Sequence, residues 1–467
     1  MSQPVGATAP RPAAARGAVA TAPPPAMPAS VPAGAPGGPA AYRSGAPAKS
    51  RVGAWVRGQV AGTPGRMRLL GAGASIAALL FGLVGAGTLW ASAGSVDRAS
   101  ANTEQVVRVQ SIYADVLRAD ADATNAFLVG GNEDPQQRAD YESTMKRVAG
   151  AVAVAAREQA ADGAALAELN SELQSYAALI EQARAYNRQG LPVGAQYQTQ
   201  ASDRLRTNAV PIIQSLLQAN TGRAELEFGS ASTRAPVLLV GLAALLVFVV
   251  VGLWLARRTR RYVNVGLTAG AATVLAALVG ALVVLGSVGD DVRRVADNQF
   301  AGTVALTTAR SAAYDAKANE SLGLIARGQA NVKREKDVQA SLLSVSTQLG
   351  KLSKVRWFGP SGDAVQLEAI WGDFREAHVK VRALDDAGTW DEAVALATSP
   401  TAGTRPTFAK FEQASSAALA GYENALVSDV VAPATKARIT AALVLLAGLL
   451  AGVLVTRGVA QRVEEYR

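Results

Sequence analysis

The chain has 467 residues, of which 49% are hydrophobic, 18% charged and 5% aromatic, with 46 Lys and Arg against 37 Asp and Glu. It contains no cysteine and a single histidine, His378. These counts exclude disulfides, thiolate nucleophiles and cysteine-ligated metals, and they leave too little for a histidine metal site or triad. The composition favours a multi-pass membrane protein over an enzyme, and we assign no catalytic, cofactor or metal residues.

Residues 1–68 form a basic leader that is dominated by Ala, Pro and Gly up to residue 50 and contains no acid. Such a segment cannot bury enough apolar surface to offset its chain entropy, so it is predicted to be disordered with polyproline-II character. It is either a docking tail for a cytoplasmic partner or a solubilising tail, and both interpretations stay open.

Four apolar runs without charged residues follow the leader. Each is long enough to cross about 30 Å of hydrocarbon at about 1.5 Å per residue. They predict membrane spans over residues 69–92, 235–256, 262–287 and 439–456. A cleaved signal peptide ending at Ala91-Ser92-Ala93 is the alternative for the first run. The length of the leader and of the run disfavours it.

The positions of Lys and Arg predict the orientation of the spans. The leader, the turn 257–261 with its four arginines, and the tail 457–467 together have 15 basic and 2 acidic residues, whereas the remainder of the chain has 31 basic and 35 acidic residues. The positive-inside rule places them in the cytoplasm, and places residues 93–234 and 288–438 outside a plasma membrane. The basic residues border the membrane and lack a nucleic-acid motif, so the predicted partner is anionic lipid rather than nucleic acid.

The two extracytoplasmic segments share one plan and predict a tandem repeat. The positions that correspond at an offset of 198 residues include Leu169 and Leu367, Tyr176 and Phe374, and Arg184 and Arg382. Further towards the amino terminus, residues 128–131 match residues 325–328 at an offset of 197. Both copies enter and leave the membrane on the same side, so the repeat is parallel, unlike the inverted repeats of many transporters.

Apolar residues recur every three to four positions in both copies, which predicts helices. Neither copy has the alternating pattern and hairpin turns that predict strands. Helix breaks are predicted at Gly130-Gly131, Asp162-Gly163 and 190–194, and in the second copy at Gly328, Gly359-Pro360 and Gly388. The predicted fold is an all-α membrane protein with four transmembrane helices and two tandem extracytoplasmic four-helix bundles, whose first and last helices continue into the membrane.

Few residues suggest chemistry, and the ligand-binding residues stay unknown at this stage. His378 aligns with Ile180, which lies on the apolar stripe of the first copy. It is interpreted as a partly buried packing residue, with a ligand-binding or pH-sensing role as the alternative. Trp357-Phe358 is either a docking spot for a partner or a plug over the end of the bundle. Asp120 and Asp122 are interpreted as charges on a solvated face rather than as a paired-carboxylate site.

Two G-x-x-x-G patterns, at residues 266–270 and 448–452, favour close packing of the spans, within one chain or between chains. No span contains an ionisable residue, which argues against a transporter.

The layout is similar to the four-helix-bundle sensor domains of bacterial chemoreceptors and histidine kinases, without their cytoplasmic signalling part. Two such modules, four spans, a Pro/Ala-rich leader and the tail 457–467 resemble the actinobacterial GlnX-like membrane proteins. The resemblance implies a non-enzymatic transmembrane signal transducer. It would relay amino-acid availability, sensed by an extracytoplasmic solute-binding lipoprotein, to the cytoplasmic protein kinase G. The alternative is a structural or scaffolding protein of the cell envelope.

Overall fold

The computed structural model describes residues 62–130, 135–230, 233–259, 264–355 and 364–464. Throughout these ranges the regular structure is helical and no strand occurs, which confirms the predicted all-α fold. The first 61 residues of the predicted disordered leader 1–68, the aromatic pair Trp357-Phe358 and the predicted break at Gly359-Pro360 lie outside the described residues. The end of the leader is helical instead, because the helix of the first span already begins at Thr63.

The first copy consists of four long helical rods, the last of which passes through a short π-helical turn. Its helices are α1 (Thr63–Val129), α2 (Pro135–Glu158), α3 (Gly163–Arg188), α4 (Val193–Arg204) and α5 (Val210–Ser230). The π-helical turn Leu205–Ala209 joins α4 to α5 without a break. Helix α1 contains the first apolar run and continues from it into the bundle.

The second copy repeats this arrangement after the spans α6 (Ala235–Thr259) and α7 (Val265–Arg294). The π-helical turn Val295–Phe300 joins α7 to the first helix of the bundle. The helices of this bundle are α8 (Ala301–Ala326), α9 (Gly328–Leu352), α10 (Ala364–Asp386), α11 (Trp390–Thr398) and α12 (Thr404–Glu464). Helix α12 continues into the fourth apolar run.

The backbone turns recur at the offsets of the sequence repeat. Gly130 and Arg327 both have positive φ angles, of 69° and 53°, and terminate equivalent helices. Gly190 and Gly388 do the same at 67° and 80°. The left-handed conformation is costly for a residue with a Cβ. At Arg327 the guanidinium stacks 3.5 Å above the ring of Trp390, which favours this conformation.

One break in the second copy was not predicted. Residues 399–403 separate α11 from α12, at the level where the first copy stays helical through its π-helical turn. Gly403 has φ 73°, and a Cβ at this position would clash with the carbonyl oxygen of Leu396. The fourth helix of the second bundle is therefore divided in two.

The four apolar runs pack into one cluster. Four helical segments of the described chain are long and apolar enough to cross a membrane, and they overlap the predicted spans. Their shared core includes Phe81 of α1, Phe248 of α6, Leu278 of α7 and Val444 of α12. The two G-x-x-x-G patterns act within the chain: Gly266 packs on the backbone of α12 near Gly458, and Gly448 packs on Gly82 of α1.

We expect Gly266→Ala to lower the thermal stability of the membrane part, because the added Cβ would meet the carbonyl oxygen of Leu454. Overpacking of this kind costs about 1–3 kcal/mol. Gly280→Ala is the matched control in the same helix, where no atom lies within 4 Å of the new Cβ. Thermal unfolding in detergent checks the pair, and equal melting temperatures would contradict the packing.

The two bundles pack side by side along their first helices. Tyr314 and Ala318 of α8 belong to the same apolar core as Val109, Val116 and Leu117 of α1. A second core, around Trp371, Phe374 and Phe411, lies within the second bundle. The copies therefore share part of their core.

Candidate functional site at the interface between the two bundles

Asp120 is the central residue of the interface. Its carboxylate is fully buried in α1 and accepts hydrogen bonds from Ser202 Oγ at 2.6 Å and the Tyr176 hydroxyl at 3.3 Å. Arg206 Nη1 donates to its second oxygen at 2.7 Å. A buried carboxylate is costly unless it is paired and hydrogen-bonded, and these donors satisfy it. The prediction that Asp120 belongs to a solvated face is therefore wrong.

Asp122 has different surroundings. About a third of its side chain is exposed, and its Oδ2 lies 3.8 Å from Arg118 Nε. Burial raises the pKa of the Asp122 carboxyl to about 7, and its Oδ2 has no hydrogen-bond partner among the described residues. Asp120 is instead held by its own three donors, so the two carboxyls do not share one site.

Arg206 connects the first bundle to the second. Its Nε donates to Asp315 Oδ1 at 3.0 Å, while Nη1 holds Asp120. Ser341 Oγ donates to the other oxygen of Asp315 at 2.8 Å. The arginine lies inside the π-helical turn Leu205–Ala209, a local irregularity that is frequent at functional sites. Two carboxylates from different bundles therefore share one guanidinium.

The electrostatics of this cluster keep Arg206 charged. Burial alone would lower its pKa, but the charges of Asp120 and Asp315 outweigh that effect and raise the pKa above its usual value. Burial and the charge of Asp120 also raise the pKa of Tyr176, so its hydroxyl stays a donor. Arg206 therefore stays charged and Tyr176 stays neutral over the physiological pH range.

A second ion pair crosses the interface with its charges exchanged. Arg118 Nη1 of α1 lies 3.0 Å from Glu412 Oε1 of α12, and the Tyr314 hydroxyl donates to the same oxygen at 2.7 Å. Arg118 and Asp315 are equivalent positions at an offset of 197. In both pairs a residue of a first helix meets a residue of the other copy's fourth helix. The fourth-helix partners are not equivalent positions, because Arg206 corresponds to Thr404 and Glu412 to Gln214 at an offset of 198.

The second bundle buries its own charged cluster around His378. The imidazole is fully buried, with Nδ1 at 2.7 Å from Glu320 Oε2 and Nε2 at 3.3 Å from Glu335 Oε2. A neutral imidazole has only one N–H, so donation to a carboxylate from both nitrogens requires the imidazolium. His378 is thus an internal cation of an ion-pair network, and it is more deeply buried than the predicted packing residue.

Glu320 holds this cluster together. Its Oε1 lies 2.6 Å from Lys317 Nζ and accepts a hydrogen bond from Thr404 Oγ1 at 2.7 Å. Burial would raise the pKa of Glu320, but Lys317 and His378 outweigh it and lower the pKa to about 2. Burial would likewise lower the pKa of His378, but Glu320 and Glu335 raise it to about 9. Thr404 is the first residue of α12, so the cluster anchors the helix that leads to the fourth span.

The two buried clusters lie at equivalent places in the repeat. Lys317 corresponds to Asp120 at an offset of 197, and Thr404 corresponds to Arg206 at an offset of 198. In the first copy Asp120 pairs with Arg206, whereas in the second copy Lys317, at the position of Asp120, pairs with Glu320. Both copies therefore bury a charged cluster at the same position of the repeat, but the residue types in the two clusters differ.

A cavity of about 410 Å³ borders the interface cluster. It lies between α1 and α5 of the first copy and α8 and α9 of the second. Its wall is mostly polar side chains, including Gln110, Tyr113, Ser311, Asp315 and Ser341. Burial and the charge of Asp315 raise the pKa of Tyr113, so this wall presents a neutral phenol.

Ion pairs also join the helices where the bundles meet the spans. Asp97 of α1 pairs with Arg438 of α12, and Lys436 Nζ of α12 lies 3.0 Å from Asp291 Oδ2 of α7. These membrane-proximal pairs connect α12 to the helices that begin both copies.

Sequence reasoning reached only part of this site. It named His378 and Asp120 but assigned neither to an ion-pair network, and it did not name Arg206, Asp315 or Glu320. One signal was available: Asp120 lies three residues after Leu117 and four after Val116, on the apolar stripe of α1. Within the described residues, no group of three or more His, Asp or Glu side chains is arranged to hold a metal ion.

Comparison with known proteins identifies a family of sensor domains. Residues 95–228 match the family model described as "Actinobacterial sensor domain". The matched segment begins in α1 just after the first span and ends in α5, so it covers the first copy and less than a third of the chain. No curated protein and no solved structure matches the chain. A sensor domain implies a non-catalytic role, and the match supports an actinobacterial sensor membrane protein with several spans.

Proposed function

We propose that the protein is a non-enzymatic transmembrane signal transducer that relays extracytoplasmic amino-acid availability to a cytoplasmic kinase. The proposed extracytoplasmic partner is a solute-binding lipoprotein. The match of the first copy to a sensor domain supports the signalling role. The resemblance to GlnX-like proteins supports the choice of both partners.

The continuity of the helices carries the proposal. Helix α1 contains both the first span and Asp120, and α12 contains both Glu412 and the fourth span. The rod from α7 through α8 joins the third span to Asp315. No loop interrupts these rods, although α12 contains Pro433 and the rod α7–α8 contains a π-helical turn, so a shift of one or two ångströms at the interface can reach the spans.

The partner must bind one helix arrangement better than another, since a ligand shifts an equilibrium only by its differential affinity. In the proposed mechanism the partner favours an arrangement in which Arg206, which here bridges Asp120 and Asp315, gives up one of these two contacts. In the predicted orientation, the output ends are the turn 257–261 and the tail from Arg457. Displacement of these basic segments would change their contact with the kinase and with anionic lipid.

Chemical crosslinking tests the relay. The chain has no cysteine, so a crosslink between two introduced cysteines cannot arise from any other thiol of the protein. We expect the pairs Asp97→Cys/Arg438→Cys and Asp291→Cys/Lys436→Cys to change their bismaleimide crosslinking rates when the liganded lipoprotein is added. Arg138→Cys/Glu142→Cys, one turn apart within α2, is the control and should not respond. Unchanged rates at both interhelical pairs would contradict the relay.

Crosslinking mass spectrometry on native membranes tests the partners. A solute-binding protein crosslinked to residues 93–234 or 288–438, together with a kinase on the other side, is the expected result. Wall-linked or purely structural partners without a cytoplasmic contact would instead favour the scaffold.

A further inference from the structure

The cavity between the bundles exists because the two copies differ in sequence. Ala312 and Ser344 line it, and at an offset of 197 the first copy has Asp115 and Arg147. Arg147 Nη2 lies 3.4 Å from Asp115 Oδ1, so an ion pair covers the equivalent position of the first copy. The offset is secure in these helices, because the buried positions of α2 and α9 coincide under it. The small side chains Ala312 and Ser344 therefore leave a space in the second copy where the first copy has an ion pair.

The polar groups of the wall are incompletely satisfied. Gln110 Oε1 and Ser311 Oγ are buried and have no hydrogen-bond partner among the described residues. Both residues line the cavity, and each is less than one-tenth exposed. Buried polar atoms are almost always paired, so two unpaired atoms on residues of one cavity wall favour a polar occupant over an apolar one. An amide oxygen accepts only, and a serine oxygen accepts or donates, so the occupant should be rich in donors.

The charge of the site selects a cation. Asp315 is the charged side chain in the described wall, and the guanidinium that it contacts is shared with the buried Asp120. Two carboxylates with one guanidinium leave a surplus of one negative charge. No Lys, Arg or His belongs to the described lining, so a carboxylate or phosphate in the cavity would lack a counter-charge. A volume of about 410 Å³ lies within the range of small-molecule sites.

We propose that this cavity binds a small cationic amine that carries further hydrogen-bond donors. The ammonium lies towards Asp315, and the remaining donors face Gln110 and Ser311. Such a ligand contacts α1 and α5 of one copy and α8 and α9 of the other, so its binding stabilises one arrangement of the bundles. The inference rests on the proposed signalling function and gives it a direct chemical input beside the lipoprotein.

A charge series on one skeleton tests the assignment. The probes are L-threoninamide, L-threonine and N-acetyl-L-threonine, which at pH 6.5 are a cation, a zwitterion and an anion. Binding to the full chain in nanodiscs is measured by calorimetry. We expect the cation to bind, the zwitterion to bind at least tenfold more weakly, and the anion not to bind.

Variants locate the binding. Ala312→Asp with Ser344→Arg installs the ion pair of the first copy and should fill the cavity and abolish binding of L-threoninamide. Ser311→Ala removes a hydroxyl that has no protein partner, so it should weaken binding while the protein stays folded. Ser175→Ala is the control: this half-buried residue of α3 lies outside the cavity wall and its hydroxyl donates to the Ser171 carbonyl oxygen, so the variant should bind as the wild type does.

Three results would overturn the assignment: no binding of the cation at millimolar concentration, equal binding of the anion, or unchanged binding in the filled variant. The outcome is separable from the relay. If the cation binds but the crosslinking rates do not change, the site is kept and the relay is rejected. If the lipoprotein changes the crosslinking rates but the cation does not bind, the relay is kept and the site is rejected.

Discussion

We expect Arg206→Ala to destabilise the extracytoplasmic part by about 3–5 kcal/mol, because it removes the guanidinium that pairs with a buried carboxylate. Asp120 is fully buried and would keep only the hydroxyl donors Ser202 and Tyr176. Asp315 would lose its cation at the same time. Because the arginine joins two copies, the loss should also loosen the packing of one bundle on the other. Chemical unfolding in detergent measures the change.

Arg204→Ala is the matched control, two residues earlier in the same rod. Its side chain is 42% exposed, and that of its partner Glu172, 2.8 Å away, is 18% exposed. A pair open to solvent on one side is worth less than one with a fully buried carboxylate, so we expect a loss of about 1 kcal/mol. The double variant Arg206→Ala/Asp120→Asn should recover part of the loss, since no charge is then left buried in α1. Equal effects of the two alanine variants would refute the role given to Arg206.

The second large effect is expected at Glu320. Glu320→Ala removes the common acceptor of His378, Lys317 and Thr404, and leaves two buried cations without their main counter-charge. Breaking such a cluster from one side costs about 3–5 kcal/mol. The start of α12 should become mobile, which hydrogen exchange at residues 404–412 would detect. Glu376→Ala on the exposed face of α10 should have no measurable effect.

The same cluster predicts how stability depends on pH. The pKa of His378 is raised from 6.5 to about 9, so its contribution is fully present below pH 6.5 and is lost as pH rises towards 9. The pKa of Glu320 is lowered from 4.5 to about 2, so its contribution is present above pH 4.5 and is lost as pH falls towards 2. The cluster should therefore stabilise the second bundle most between pH 4.5 and 6.5.

His378→Gln isolates the histidine. The stability difference between wild type and variant should shrink by up to about 3 kcal/mol from pH 6.5 to 9, at 1.36 kcal/mol per pKa unit. Unfolding titrations of both proteins at a series of pH values provide the measurement. A difference that stays constant across this window would show that His378 is neutral in the fold.

Local signals determined the elements of this protein. The spans were predictable because some 20 apolar residues without a charge have few stable locations outside a bilayer. The breaks at Gly130, Gly190 and Gly388 were predictable because the backbone there needs positive φ, which glycine permits. The repeat was visible in the sequence because equivalent core positions of the two copies have apolar residues of similar kind. The break before Thr404 was missed, although Pro400 and Gly403 signal it.

Only the tertiary structure decided which polar residues form the site. The helical period places Asp120 on the stripe of α1, but a period describes one helix and cannot say what packs against it. Arg206 and Asp315 are 109 positions apart, and their meeting depends on how the two bundles align. His378 becomes a cation only because Glu320 and Glu335, from two other helices, face its two nitrogens. Burial and pairing are properties of the assembled bundles, because the free energy of a charge depends on everything around it.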